Sequence, residues 1–205
     1  MLSFKDYTML TELFDTSNIS PWFELMSGDM YICDFDVPNS VPYSIQLINE
    51  GSIESLLTSS EVNQLPDNVA SSVRSSDHVF VLTFAPSNNT TFDIIGSGNA
   101  AFILSSVINN VHNLLSGNAN VYKKVKNFDI IFPNTITSSN IKELIANNAV
   151  KLTTLPTINT VILSAKEPSR IKLYDRMAPK FASSFNMNYG SVVTDRDKYY
   201  IFTTK

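Results

Sequence analysis

The sequence predicts a protein of the α/β (α+β) class, in which helices flank a mixed central sheet. Its strongest strand signal is the apolar run from His78 to Phe84, whose few polar breaks indicate a central strand buried on both faces. A strand predicted over 91–95 leads through the Gly96-Ser97-Gly98 turn into an apolar-faced helix over 100–115. Because 43% of the 205 residues are hydrophobic, the chain can bury a substantial core.

Residues 1–42 are predicted to be a small extension, made of a helix and short strands, that packs on a main domain over 43–205. Apolar residues at helical spacing over 4–14 predict the helix. Two short strands, 22–25 and 30–37, are joined at Ser27-Gly28-Asp29, which predicts a hairpin.

The main domain begins with a half-buried strand over 43–48, and residues 51–77 are predicted to be short helical or irregular pieces. Further on, an apolar run over 128–132 predicts a strand, and Ser138 or Ser139 can cap a helix that ends near Asn148. Three elements then follow. They are a strand over 160–164, a helix that opens at Pro168-Ser169 and is expected to break or kink at Pro179, and a hairpin that turns at Asp195-Arg196-Asp197.

Composition excludes several function classes. A net charge of −4 supplies no electrostatic attraction to nucleic acid. No apolar stretch reaches the length needed to span a bilayer, and the N-terminus lacks the pattern of a signal peptide. The single cysteine, Cys33, cannot form an intramolecular disulfide. We therefore expect a protein inside a cell or packaged in a particle assembled there, with no nucleic-acid or membrane partner.

The turn Gly96-Ser97-Gly98-Asn99 is the first candidate site. Backbone N–H groups at the start of a helix can hold a phosphate or another anion. The turn matches neither the dinucleotide fingerprint nor the P-loop, because a third glycine and a Gly-Lys-Ser/Thr sequence are missing. The alternative is that the glycines only allow a tight turn.

The second candidate site is the segment that carries Arg170, Tyr174, Asp175 and Arg176. A tyrosine held near arginines can donate a proton in a transfer reaction. The alternative is an amphipathic helix with the Tyr174 ring packed inside and the charges in solvent.

No metal site is predicted. His78 and His112 have no second histidine or cysteine at ligand spacing. Asp34 and Asp36 lie on one side of a strand, where we expect solvated carboxylates.

The strand 91–95, the glycine turn, the helix 100–115, the strand 160–164 and the helix 169–177 together resemble the GCN5-related N-acetyltransferase family. The resemblance covers roughly residues 78–202 and implies that 116–158 is an insertion. It implies that Gly96, Ser97, Gly98 and Asn99 cradle the pyrophosphate of acetyl-CoA, and that Tyr174 of the Leu173-Tyr174 pair is the general acid.

The sequence departs from the pattern of that family at four places. Asp93 replaces the Arg or Gln before the turn, and a carboxylate there would repel a pyrophosphate. Glu167 and Arg170 replace an asparagine and an alanine before the tyrosine, and Ala178-Pro179 replaces Gly-Phe after it.

Three further segments are similar to small proteins of tailed bacteriophages: Glu12–Asp15, Gly96–Ala100 and Pro168–Arg176. This resemblance implies a phage protein in the host cytoplasm or the virion. Three functions follow as hypotheses. The first is a non-catalytic accessory protein that binds a virion or host protein. The others are an active acetyl-CoA-dependent N-acetyltransferase and a purely structural virion component.

Overall fold

The computed structural model describes residues 20–25, 28–87, 100–124, 149–154 and 157–205. These form an α+β protein with a mixed sheet, which agrees with the predicted class. They divide into two compact units, one drawn from 1–46 and 84–156 and the other from 47–83 and 157–205. The N-terminal helix, the strand 91–95, the glycine turn and the elements predicted within 125–148 lie outside the described residues.

The first unit is built on strands in the order β6-β5-β1-β2-β3. β1 and β2 form the predicted antiparallel hairpin, in which Trp22 pairs with Cys33, and β1 pairs in parallel with β5. The described strands of this unit are β1 (Trp22–Leu25), β2 (Met30–Phe35), β3 (Tyr43–Asn49), β5 (Val121–Lys124) and β6 (Ala149–Lys151), whereas most of β4 (Val79–Pro86) belongs to the second unit.

The long helix of the first unit lies where the sequence predicts it, at Ala100–Leu115. It is helix α3, because two short α-helices precede it in the chain. Its apolar stripe is buried, and Gly117 follows its end with a φ of 75°, a backbone conformation that glycine adopts easily. Asn110 ties α3 to the start of β1, because its Oδ1 accepts a hydrogen bond from Ser20 N at 3.0 Å.

In the second unit, β4 is followed in the sheet by β7 (Thr160–Ala165), β9 (Lys198–Thr203) and β8 (Asn188–Val193). β4 and β7 run parallel, whereas β9 is antiparallel to both β7 and β8. The predicted strand 160–164 and the final hairpin are thus confirmed. β4 is buried mainly at alternate residues, so the prediction of burial on both faces is wrong for Val81 and Thr83, which are only partly buried.

Short helices cover one face of this part of the sheet. They are a 3-10 helix (Ile53–Ser55), α1 (Ser59–Val62) and α2 (Asp67–Arg74), within the region predicted to hold short helical pieces. Thr58 and Glu61 close a capping box at the start of α1. The buried cluster beneath these helices joins their apolar residues to those of the strands, among them Val69, Ile162, Val192 and Ile201.

The last helix, α4, spans Pro168–Ser184 and continues through Pro179, so the expected break at that proline is wrong. The proline removes one N–H from the helix, at an exposed position. Packing of the helix end compensates for this loss. The Phe181 ring lies 4.9 Å from the ring of Phe202 on β9, and Ala178 and Ala182 are also buried. No helix among the described residues is long and apolar enough to cross a membrane.

Candidate functional site

Tyr174 lies on the buried side of α4. Its side chain is only 5% exposed, and its ring meets that of Tyr200 on β9 edge to face, with centroids 5.5 Å apart. Burial is the main cause that raises the pKa of Tyr174 to about 12. The positive charge of Arg170 lowers this pKa, and the negative charge of Glu167 raises it. Tyr174 therefore remains protonated at neutral pH.

The two arginines do not converge on Tyr174. Arg170 Nε lies 3.4 Å from Glu167 Oε2, an ion pair formed within the first turn of the helix. Arg176 is exposed, and because it follows Tyr174 by two residues it projects from a different side of the helix.

A second polar group joins α4 to β9 beside these aromatic rings, and of its members the prediction named Asp175 but neither Lys198 nor Tyr200. The Asp175 carboxylate accepts a hydrogen bond from the Tyr200 hydroxyl at 2.9 Å and from Lys198 Nζ at 2.6 Å. The Tyr200 hydroxyl also lies 3.2 Å from the carbonyl oxygen of Ile171. Lys198 Nζ sits 5.4 Å from the centroid of the Tyr200 ring, in a cation–π arrangement.

Within this Asp175–Lys198–Tyr200 group, the negative charge of Asp175 and the positive charge of Lys198 compensate each other. The Lys198 hydrogen bond is the largest cause that lowers the pKa of Asp175, and the Tyr200 hydroxyl also contributes. Burial, followed by the hydrogen bond to Asp175, raises the pKa of Tyr200 well above its ordinary value. The tyrosine thus acts as a hydroxyl donor to a carboxylate. This arrangement fixes α4 on the sheet and does not present a reactive group.

The first unit contains a buried carboxyl group of a different kind. Asp34 on β2 is 3% exposed, and neither of its carboxyl oxygens has a hydrogen-bond partner among the described residues. Burial, with a contribution from Asp36, raises the pKa of Asp34 to about 7, while the nearby Ser44 hydroxyl acts in the opposite direction. The expectation that Asp34 is solvated is therefore wrong, whereas Asp36 is exposed.

The residues around Asp34 do not form a catalytic set. Burial raises the pKa of the Cys33 thiol, so this cysteine is a packed thiol and not a nucleophile. Among the described residues, no group of three or more His, Cys, Asp and Glu side chains comes together as a metal site. Because Asp34 is buried and its pKa is raised, its ionisation bears on the stability of the fold.

The remaining site residues predicted from the sequence, Gly96, Ser97, Gly98 and Asn99, lie outside the described residues. Their role as an anion cradle therefore stays a prediction. The hydrogen bonds of Tyr200 and Lys198 to Asp175 were not predictable from local patterns. They depend on how β9 and α4 align, and the only sequence signal is the alternation of Lys198, Tyr200 and Phe202 along one face of β9.

Neither a comparison of the sequence with protein families nor one with curated proteins found a match to this chain.

Proposed function

We propose that this chain acts by binding a protein partner and does not catalyse acyl transfer. The observation that carries this proposal is the position of Tyr174, the one residue expected to act as a general acid. Its ring is enclosed between α4 and the sheet and packs against Tyr200.

A general acid must reach the group that it protonates and must have a pKa near the working pH. Tyr174 is poorly suited on both counts, because its side chain is buried and its pKa is raised to about 12. Arg170, which would favour ionisation of the tyrosine, is paired with Glu167. The Asp93 substitution before the glycine turn points the same way, since a carboxylate there opposes pyrophosphate binding.

Active acetyl-CoA-dependent N-acetylation is the second candidate, and a specific observation favours it. Helix α3, strand β7 and helix α4 follow one another in the order that the acetyltransferase resemblance implies, and β4 and β7 form a parallel pair. In this alternative, acetyl-CoA lies on the turn 96–99 and Tyr174 protonates the leaving thiolate.

A titration with acetyl-CoA separates the two candidates. We expect that millimolar acetyl-CoA leaves the melting temperature of the full chain unchanged, and that no free thiol of coenzyme A appears with amine substrates. The enzyme reading would be established instead by two results together. Acetyl-CoA would raise the melting temperature of the chain, and the rate of thiol release would fall at least a hundredfold in Tyr174→Phe. Tyr199→Phe is the matched control, because it removes a hydroxyl from a half-buried residue of the same unit.

The identity of the partner is a separate part of the proposal. The similarity of three segments to tailed-phage proteins supports a role either in the virion or against a host protein in the cytoplasm. Mass spectrometry of purified particles tests the virion role, since a virion component is recovered in fixed stoichiometry. Absence from the particle assigns the chain to a host partner, to be identified by affinity capture from infected cells.

A further inference from the structure

Strand β8 is at the edge of the sheet, and its hydrogen-bonding pattern can be derived from the turn that follows it. Among the described strands, β8 pairs only with β9. Thr194 N donates to Asp197 O at 2.9 Å, so this residue pair is a hydrogen-bonded one. Since such pairs alternate along an antiparallel ladder, Val192 and Gly190 also direct their backbone groups towards β9.

The intervening residues Tyr189, Ser191 and Val193 therefore direct their N–H and C=O groups away from β9. No backbone hydrogen bond from these groups to a described residue outside the β8–β9 ladder is present. The same three side chains share one face of the strand, where the Tyr189 ring packs 5.6 Å from that of Phe202. The outer edge of β8 thus presents the backbone N–H and C=O groups of three alternate residues.

This edge lacks the features that prevent strands from pairing between molecules. Edge strands are commonly protected by charged residues, prolines or bulges. β8 contains no charged residue and no proline, and its register with β9 is unbroken over six residues. Its last residue, Val193, is 66% exposed although it is apolar.

We propose that the occupant of this edge is a second copy of the same chain, with the two β8 strands antiparallel about a twofold axis at Ser191. Only outward-facing residues can pair, which restricts the register to odd-numbered residues opposite odd-numbered ones. With Ser191 on the axis, Val193 lies opposite the partner's Tyr189, and the reciprocal pair forms by symmetry. Three residue pairs then each exchange two backbone hydrogen bonds.

Side chains and charges favour this register. Val193 is covered by an aromatic ring on the same face, a pairing that stabilises antiparallel sheets. Asp195, in the turn two residues beyond Val193, then lies at the same end of the paired strands as the partner's Asn186. Within each copy, Asn186 Oδ1 accepts a hydrogen bond from Lys205 Nζ at 2.6 Å. The acidic residue of one turn therefore approaches a lysine of the other subunit.

Oligomeric state is the first test. Light scattering coupled to size exclusion, over a hundredfold range of concentration, should give a dimer that dissociates on dilution. Val193→Lys should weaken dimerisation at least tenfold, because a charged lysine on an edge strand must lose water when a second strand pairs there, whereas this position is already exposed in the monomer. Ser184→Lys, at an exposed position on α4, should leave the dimer intact. Circular dichroism checks that both variants are folded.

Cysteine crosslinking tests the register itself. In a hydrogen-bonded pair the Cα atoms are about 5.5 Å apart, which a disulfide can bridge. Ser191→Cys should therefore form a covalent dimer under copper-phenanthroline oxidation. Val193→Cys alone should not, because its two copies are four residues out of register, about 13 Å apart along the strands. Val193→Cys mixed with Tyr189→Cys should crosslink again.

The proposal is overturned by a protein that is monomeric at every concentration. It is equally overturned by a dimer that Val193→Lys does not weaken, or by assembly into open-ended oligomers, since the twofold pairing closes. None of these outcomes depends on whether the chain binds acetyl-CoA.

Discussion

The Tyr200 hydroxyl on β9 donates a hydrogen bond to the carboxylate of Asp175 on α4 at 2.9 Å, which ties the last helix to the sheet. Tyr200 is buried and also supports the Tyr174 ring. The same carboxylate is paired with Lys198, so the contact joins a buried hydroxyl to a charged group.

Tyr200→Phe tests the contribution of this hydrogen bond. The ring contact with Tyr174 is kept while the donor is lost, and a hydrogen bond to a charged acceptor is typically worth about 1.5–3 kcal/mol. We expect the free energy of unfolding in urea to fall by that amount. Tyr199→Phe, on the opposite face of β9, is the control and should change it by much less. Equal losses in the two variants would contradict the role given to Asp175.

Asp34 predicts an unusual dependence of stability on pH. Its pKa is about 7 in the folded chain against an ordinary value of 3.8, so ionisation favours the unfolded chain. Its stabilising contribution is complete below the ordinary pKa and is lost as the pH rises through about 7. The loss can reach about 4 kcal/mol, since one unit of pKa corresponds to about 1.4 kcal/mol.

Asp34→Asn should remove this dependence. Denaturation of the variant between pH 4 and 8 should give a flatter curve, and at the alkaline end the variant should be more stable than the parent protein. Asp77→Asn makes the same chemical change at an exposed position and should leave the slope unaltered. A parent protein whose stability does not fall across this interval would refute the shifted pKa.

Pro179 predicts a stabilising substitution. Proline in a helix interior costs about 3 kcal/mol relative to alanine, and part of that cost is offset because proline restricts the unfolded chain. Pro179→Ala restores an N–H that can donate to the carbonyl of Asp175. We expect the free energy of unfolding in urea to rise by about 1–2 kcal/mol. Pro168→Ala is the matched control at the first position of the same helix, where no N–H is needed. It should not stabilise the protein.

The predictions that succeeded depended on short-range patterns. The β1–β2 and β8–β9 hairpins have turn residues between apolar runs, and α3 has a regular apolar stripe that ends near Gly117. Each of these features depends on residues that are close together in the sequence. The same holds for the strand now called β7, which is a short uninterrupted apolar run.

The predictions that failed depended on contacts between distant residues. Local chemistry argues for a helix end at Pro179, but packing of Phe181 against Phe202 outweighs it. Alternation along the predicted strand 30–37 places Asp34 and Asp36 on one side, yet only Asp34 is buried, because burial depends on which other residues pack over each position. The Tyr174–Tyr200 contact joins residues 26 positions apart in the chain and requires the register of β9. The glycine turn at 96–99 remains a prediction from sequence alone.

Gly190 predicts a steric requirement at the centre of β8. A Cβ atom there would lie 3.0 Å from both Leu65 Cδ2 and Pro66 Cδ, and 3.4 Å from Val69 Cγ1. The rigid proline ring at the start of α2 leaves little room to adjust, so Gly190→Ala should destabilise the chain by about 1–3 kcal/mol despite the better strand propensity of alanine. Ser191→Ala is the control, because its side chain points to the opposite face of β8, and it should change stability by less than about 0.5 kcal/mol. Urea denaturation of both variants measures these changes in the free energy of unfolding. If Gly190→Ala left that free energy unchanged, α2 would be able to move away from the strand without loss of stability.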